Sequence, residues 1–329
     1  MHVQPEAGTA RVRKRAIFCV LAASACFTVS AVLVKAAAPS TPTIEIMLFR
    51  SVVALLCLLP LLRRRGGLAA LRTRQPWGHA MRIGAGFAGM FGSFYGFAYL
   101  PLATVTALGF AMPIFLSLLS IPMLGERVGL HRGAAVAAGL LGVLIVLRPW
   151  QAGALPVVPA LVVVVGVLAW ALSMVSIRRM GQAGERSITI VTWFAIATSA
   201  LSGLLVVPVW VTPSPPVLAA LIGVGVVSAA AQLLMTEGYR SGEATMLAPF
   251  EYGAILYTVV LGWIVWGEVP GGWEFAGMAI LVLSGLYTWW RETLTQSPAG
   301  SPPARPATPP PPGYAGPLPS PPAPARRPG

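Results

Sequence analysis

The chain has 329 residues, of which 56% are hydrophobic and only 10% charged, and its mean hydropathy is +0.75. Soluble domains carry about 25% charged residues, so this composition excludes an ordinary soluble fold. The net charge of +13 does not point to nucleic acid, because basic residues crowd the cytoplasmic loops of membrane proteins.

A bilayer core of about 30 Å is crossed by about 20 apolar residues in a helix. In chain order, apolar runs of that length fall at about 16–36, 44–62, 79–99, 102–123, 132–148, 157–178, 188–209, 216–236, 245–266 and 273–290. The expected fold class is therefore an all-α polytopic membrane protein with ten transmembrane helices joined by short loops. The first run, flanked by RVRKR and KAAAPS, has the outline of a signal peptide. Lys35 just ahead of the small residues weakens that reading, and nine later runs make it unnecessary. Cys19, Cys26 and Cys57 all lie inside apolar runs without paired spacing, so no disulfide, metal or cofactor site is expected. After the last run the composition changes, and fourteen of the 31 prolines fall in residues 296–329. This tail is expected to be disordered, with polyproline character, and is either inert or bound by a proline-recognition partner.

Basic residues orient the spans. Arg11, Arg13, Lys14 and Arg15 precede the first, Arg63, Arg64, Arg65, Arg72 and Arg74 follow the second, and Arg178, Arg179 and Arg186 follow the sixth. The odd-numbered loops hold little more than Lys35 and Arg148. Even loops and both termini are expected in the cytoplasm, and the protein is expected to be multi-pass in the cell inner (plasma) membrane.

The sequence repeats itself at an offset of about 142 to 144 residues. MLGERVG (123–129) matches IVWGEVPG (264–271), GLLGVLIV (139–146) matches LVLSGLYTW (281–289), and LATVTAL (102–108) matches EATMLAP (243–249). Each half holds five spans. Five is odd, so the second half enters the membrane inverted. The charges agree: the arginine-rich loop 63–74 corresponds to VTPSPP (211–216), which has none, and the bare YLPLAT (99–104) corresponds to YRSGEAT (239–245) with Arg240. The organisation read from this is a basic amino terminus 1–15, a first repeat 16–148, an inverted second repeat 157–291 and the tail 296–329. Inverted repeats about an axis in the membrane plane are a transporter signature, with the site at the repeat interface.

With LGERVG and WGEVPG closing the fourth and ninth spans, residues 16–291 resemble the drug/metabolite transporter superfamily, EamA type. PLATVTALGFAMP followed by GVLIVLRP is similar to its first repeat, and GEATMLAPFEYGAILYTVVLGWIVWGE to its second. The resemblance implies a carrier of small organic metabolites. Several proteins sharing the APFEY form carry S-adenosylmethionine or riboflavin and other relatives export amino acids, so a substrate class is implied rather than one substrate.

Glu251 stands about seven residues inside the ninth span, about 10 Å from its start at 1.5 Å per residue. An ionised carboxylate at that depth normally faces a cavity or a partner. The plainer alternative is a helix starting at Pro249, with Glu251 at its favourable amino end. Its counterpart in the first half is Gly109, so the repeat does not demand the acid. Facing a cavity, Glu251 either pairs with a cationic substrate group or carries a coupling proton. Arg50, six residues into the second span, either faces the interior and meets an anion or snorkels outward; Glu45, five residues away, is badly placed to pair with it. Phe91, Tyr95 and Tyr99 share one face of the third span, Ser228, Gln232 and Thr236 one face of the eighth, and Trp170 and Ser173 one face of the sixth. Tyr252 adjoins Glu251. Each aromatic has core packing as its plainer reading, whereas Gln232 stands out because a buried amide requires partners. Gly89, Gly92, Ser93 and Gly96 on the third span, and Gly139 and Gly142 on the fifth, permit close helix approach.

These residues point to a secondary carrier for a small molecule, working by alternating access. An enzyme lacks support: the three histidines, His2, His79 and His131, lie at ends or loops, and no HExxH, GxSxG or phosphate-binding loop is present. A membrane scaffold or sensor signalling through the proline-rich tail fits the tail but gives no reason for inverted repeats.

Overall fold

The computed structural model describes residues 6–64, 67–112, 114–115, 118–119, 130–148, 150–151, 156–241 and 250–295. Pro113, Pro249, the Gly125-Glu126 pair and the tail 296–329 lie outside them. All regular structure among the described residues is helical. In chain order the helices are α1 (Glu6–Ala37), α2 (Thr43–Arg64), α3 (Pro76–Tyr99), α4 (Leu102–Gly109), α5 (Leu130–Leu147), α6 (Val157–Gln182), α7 (Ser187–Val206), α8 (Pro215–Ser241), α9 (Gly253–Trp266) and α10 (Gly272–Thr295). A short 3-10 turn at Gly67–Leu71 links α2 to α3.

Five stretches, Lys14–Ala37, Thr43–Arg64, Val157–Gln182, Ile188–Val209 and Pro215–Met235, are long and apolar enough to cross a membrane. Fewer than half the residues of their apolar windows are buried within the chain. Large side chains such as Phe18, Leu56, Val165, Leu204 and Ile264 are exposed. An apolar exterior on hydrogen-bonded helices is what a bilayer requires. The remaining helices differ for physical reasons. α3 and α10 have the length, 24 residues each, but α3 carries His79 and Arg82 inward and α10 carries Glu274, while α9 keeps only 14 residues because the helix is interrupted at Tyr252. The basic residues expected ahead of the first span instead form the opening turns of α1.

The most extensive helix pairs are α1 with α8, α3 with α6, α5 with α10, and α2 with α7. Every one joins a helix before residue 148 to one after 157. Small residues make this interlock possible. A Cβ on Gly92 would stand 2.7 Å from the Gly166 Cα, and one on Gly166 would stand 2.8 Å from the Gly92 Cα, so α3 and α6 touch backbone to backbone. Gly142 and Gly277 bring α5 and α10 together in the same manner, with the Gly142 carbonyl 2.9 Å from where a Gly277 Cβ would be. Without a solvent-driven hydrophobic force between helices in lipid, such close packing is a main source of association.

Candidate functional site

α3 runs through the middle of the bundle and carries an aromatic ladder. The Phe91 and Tyr95 rings stack at 5.6 Å and the Tyr95 and Tyr99 rings lie 4.6 Å apart, because a four-residue step returns nearly to the same helix face. Phe91 and Tyr95 are half-buried. Trp170 of α6 packs with Phe91, Met90 and Phe94 in one apolar cluster.

Arg50 reaches inward from α2. Its Nη1 donates to the Met90 Sδ at 2.9 Å, and its Cζ lies 5.8 Å from the Phe94 ring centre. Of the two orientations open to it, the structure takes the interior one. Glu45 does not pair with it: that carboxylate is fully buried and its Oε2 accepts from the Val211 N–H at 3.1 Å.

Arg82 is buried on α3, its Nη1 donating to Ser173 Oγ and its Cζ lying 4.0 Å from the Phe194 ring centre and 5.5 Å from that of Trp170. Its guanidinium sits beside Gly86, one turn further along α3, where a Cβ would lie 2.5 Å from Nη1. Sequence reasoning missed this residue, which stands only three residues inside the run 79–99, where an arginine can still snorkel to the edge.

Glu251 is half-buried and engaged. Phe250 and Glu251 are helical, Tyr252 forms a turn, and α9 begins at Gly253. The carboxylate therefore precedes the amino end of α9 within the run 245–266, whereas Pro249, the expected start of the helix, lies outside the described residues. The Tyr252 ring lies 4.7 Å from that of Phe110, and its hydroxyl occupies the space beside Gly285 on α10. α4 breaks at the corresponding place: it ends at Gly109, with Phe110 and Ala111 in a turn. Phe110 was not singled out from sequence, yet the offset of 142 that pairs Gly109 with Glu251 also pairs Phe110 with Tyr252.

Ser228 is buried and shares a hydrogen bond of 2.9 Å with Ser30 across α1 and α8. Gln232, expected to be buried beside it, is exposed. Each four-residue step drifts by 40° around a helix, and one step suffices to carry Gln232 off the face that packs on α1. Thus Arg50, Phe91, Tyr95 and Trp170 are brought together in the centre, Glu251 and Tyr252 gather at the α4–α9 breaks, and Gln232 is exposed on α8.

A different set of charges fastens the end of the bundle formed by the odd-numbered connections. Lys35 Nζ pairs with Glu268 Oε1 and donates to the Leu100 carbonyl at 2.9 Å, while Glu268 Oε2 accepts from the Leu102 N–H at 3.2 Å. Gly267, at φ 68°, turns the chain out of α9 and aims Glu268 there. Left-handed backbone at a helix end favours glycine. Nearby, Arg148 Nη2 lies 3.6 Å from Glu274 Oε1. At the opposite end His79 Nε2 lies 3.5 Å from Glu185 Oε1. Among the described residues no group of three metal-ligating side chains occurs.

The model of the EamA-like transporter family matches this sequence twice, at residues 14–148 and 158–290. The chain belongs to the EamA-like transporter family. It is similar to a riboflavin transporter of Rhizobium johnstonii, 33% identical over 71% of this chain and 76% of the relative. It is also similar to the pseudopaline exporter of Pseudomonas aeruginosa, 30% identical over 82% of this chain and 94% of the relative. A crystal structure sharing 19% sequence identity superposes with a TM-score of 0.60 over 84% of this chain and 98% of its own, which shows a common fold. The protein is thus a membrane transporter of the drug/metabolite type, not an enzyme, and its substrates are small molecules.

Proposed function

We propose that this transporter is a secondary carrier that moves a small organic metabolite across the inner membrane by alternating access. In this reading ten spans form two inverted repeats, 16–148 and 157–291, with both termini cytoplasmic. The observation that carries it is the meeting of two equivalent helix breaks, at Phe110 and at Tyr252, with their rings 4.7 Å apart. Interrupted helices facing each other near a pseudo-two-fold axis are how inverted-repeat carriers build a binding site. Packing supports the same symmetry. Exchanging each helix with its counterpart five places on turns the α1–α8 pair into the α6–α3 pair, and leaves α2–α7, α4–α9 and α5–α10 as self-paired contacts. The Lys35–Glu268 and Arg148–Glu274 pairs then hold the non-cytoplasmic end closed.

The central aromatics, Phe91, Tyr95 and Trp170, suit a substrate with a planar ring. Riboflavin, S-adenosylmethionine and aromatic amino acids are the first compounds to test. Arg50, Ser228, Gln232, Glu251 and Tyr252 complete the proposed substrate-binding or coupling set, with Glu251 in the role of cation partner or proton carrier.

Uptake of these labelled compounds into proteoliposomes holding the purified full chain tests the reading, with and without an imposed pH gradient. Concentrative uptake of at least one, abolished or made independent of pH by Glu251→Gln, is the expected result. If none accumulates or exchanges, the carrier reading is wrong for these classes; unchanged, pH-independent transport by Glu251→Gln removes both roles of that residue.

A further inference from the structure

Arg50 and Arg82 come from different helices and opposite ends of the bundle, yet their guanidiniums converge on one stretch of α3. Arg82 sits beside Gly86 and Arg50 donates to Met90. Those two positions are four residues apart, about 6 Å along the helix axis. Two like charges anchored that close together in a low-dielectric interior repel each other.

Arg82 does not snorkel. Helical side chains lean toward the amino end of their helix, and for Arg82 that end is Pro76, the near edge of the expected span. Its guanidinium instead lies toward Gly86, deeper in the bundle, where the missing side chain of that glycine leaves room for it.

Neither cation meets a carboxylate among the described residues. A guanidinium has five N–H donors and no acceptor. Arg50 spends one of them on a thioether, a weak acceptor, and rests on the Phe94 face. Arg82 spends one on Ser173 Oγ, rests on Phe194 and Trp170, and its buried Nε has no hydrogen-bond partner. Lys35 and Arg148 behave differently, since each has an acid in reach. Two repelling cations held in a low-dielectric interior are costly unless a negative charge joins them. Bidentate binding of carboxylate or phosphate is what guanidinium forks do best.

We propose that Arg50 and Arg82 form an anion subsite in the centre of the bundle, which takes a carboxylate or phosphate group of the transported molecule while its apolar part lies on Phe91 and Trp170. This deepens the carrier reading by naming the charge of the substrate. Glu251 belongs to the separate group at the α4–α9 breaks.

The test uses the full chain in lipid-free detergent, so that no lipid headgroup competes, with benzoate and its neutral isostere benzamide as probes. Binding is read from quenching of tryptophan fluorescence. Wild type is expected to bind benzoate at least about tenfold more tightly than benzamide, since a charge-assisted contact is worth that factor or more. Inorganic phosphate is expected to compete. Arg50→Gln and Arg82→Gln should each bring the ratio to about one, whereas Arg63→Gln, outside the subsite, should keep it. Equal binding of the two probes by wild type, or an undiminished ratio in Arg50→Gln, overturns the proposal. Should Arg82→Gln fail to fold, benzoate protection of Arg50 and Arg82 against phenylglyoxal in wild type, read by mass spectrometry, decides; no protection overturns it. Because these readouts need no transport, the subsite can fail while the carrier reading stands, and the reverse.

Discussion

The charges at the odd-connection end and those at the centre obey opposite rules. At the end, Lys35 has Glu268 and a carbonyl, Glu268 has a backbone N–H as well, Arg148 has Glu274, and Glu45 has the Val211 N–H. In the centre, Arg50 and Arg82 have aromatic faces, a thioether and a hydroxyl. The first arrangement pairs each cation with an acid, although Glu45 Oε1 and Arg148 Nε keep no hydrogen-bond partner, so it reads as fastening. The second is incomplete, so it reads as a place for something to bind. The contrast follows from the same fact, that an ion in a low-dielectric environment must be compensated.

The contrast breaks most visibly at Lys35. Lys35→Met leaves Glu268 with only the Leu102 N–H, and the lost charge-assisted bonds should cost about 2–3 kcal/mol, seen as a lowered midpoint in thermal unfolding of the detergent-solubilised protein. Both side chains keep some exposure, 12% and 25%, which holds the cost below that of a fully buried pair. The swapped double variant Lys35→Glu with Glu268→Lys should recover part of the loss. Unfolding at the wild-type midpoint by Lys35→Met would mean the pair is not structural, and the contrast with the centre would collapse.

A smaller effect is expected at Arg148, which pairs with Glu274 but has φ 45°. Arg148→Gln removes the pair and keeps the unfavourable backbone, costing about 1–2 kcal/mol. Arg148→Gly also loses the pair but relieves the left-handed conformation, worth about 1 kcal/mol or more. The glycine variant should therefore unfold later than the glutamine variant. The reverse order would show that the left-handed backbone at Arg148 stores no strain that glycine relieves.

Much of this was legible in the sequence because membrane helices advertise themselves by composition, and because the repeat offset fixes correspondences without contacts. The membrane class, the glycines at the α3–α6 and α5–α10 crossings and the Phe91–Tyr95–Tyr99 ladder all follow from local periodicity. What was not legible depends on which way a long side chain turns. Arg82 inside a span has two directions available, and only the packing around Gly86 selects the inward one. Lys35 and Glu268 are 233 residues apart, and no local pattern joins them. Gln232 failed for a related reason, since helix rotation relative to a neighbour is set by packing and not by spacing. The break at Tyr252 was half visible, as a proline three residues earlier and an acid in an apolar run.

The weakest test of the contrast is a neutral pair in the same interior. Ser30 and Ser228 are both buried and share one hydrogen bond of 2.9 Å between α1 and α8. Neither carries charge, and each hydroxyl can turn to a carbonyl of its own helix when the other is removed, as Thr28 does with Ser24. Interhelical bonds of this kind in membranes average about 0.6 kcal/mol. Ser30→Ala should therefore lower the unfolding free energy by about that amount, less than either charged variant, and the Ser30→Ala, Ser228→Ala double variant should cost little more than the single. A loss as large as that of Lys35→Met would show that compensation of charge is not what ranks these contacts, and that tight packing of α1 on α8 dominates instead.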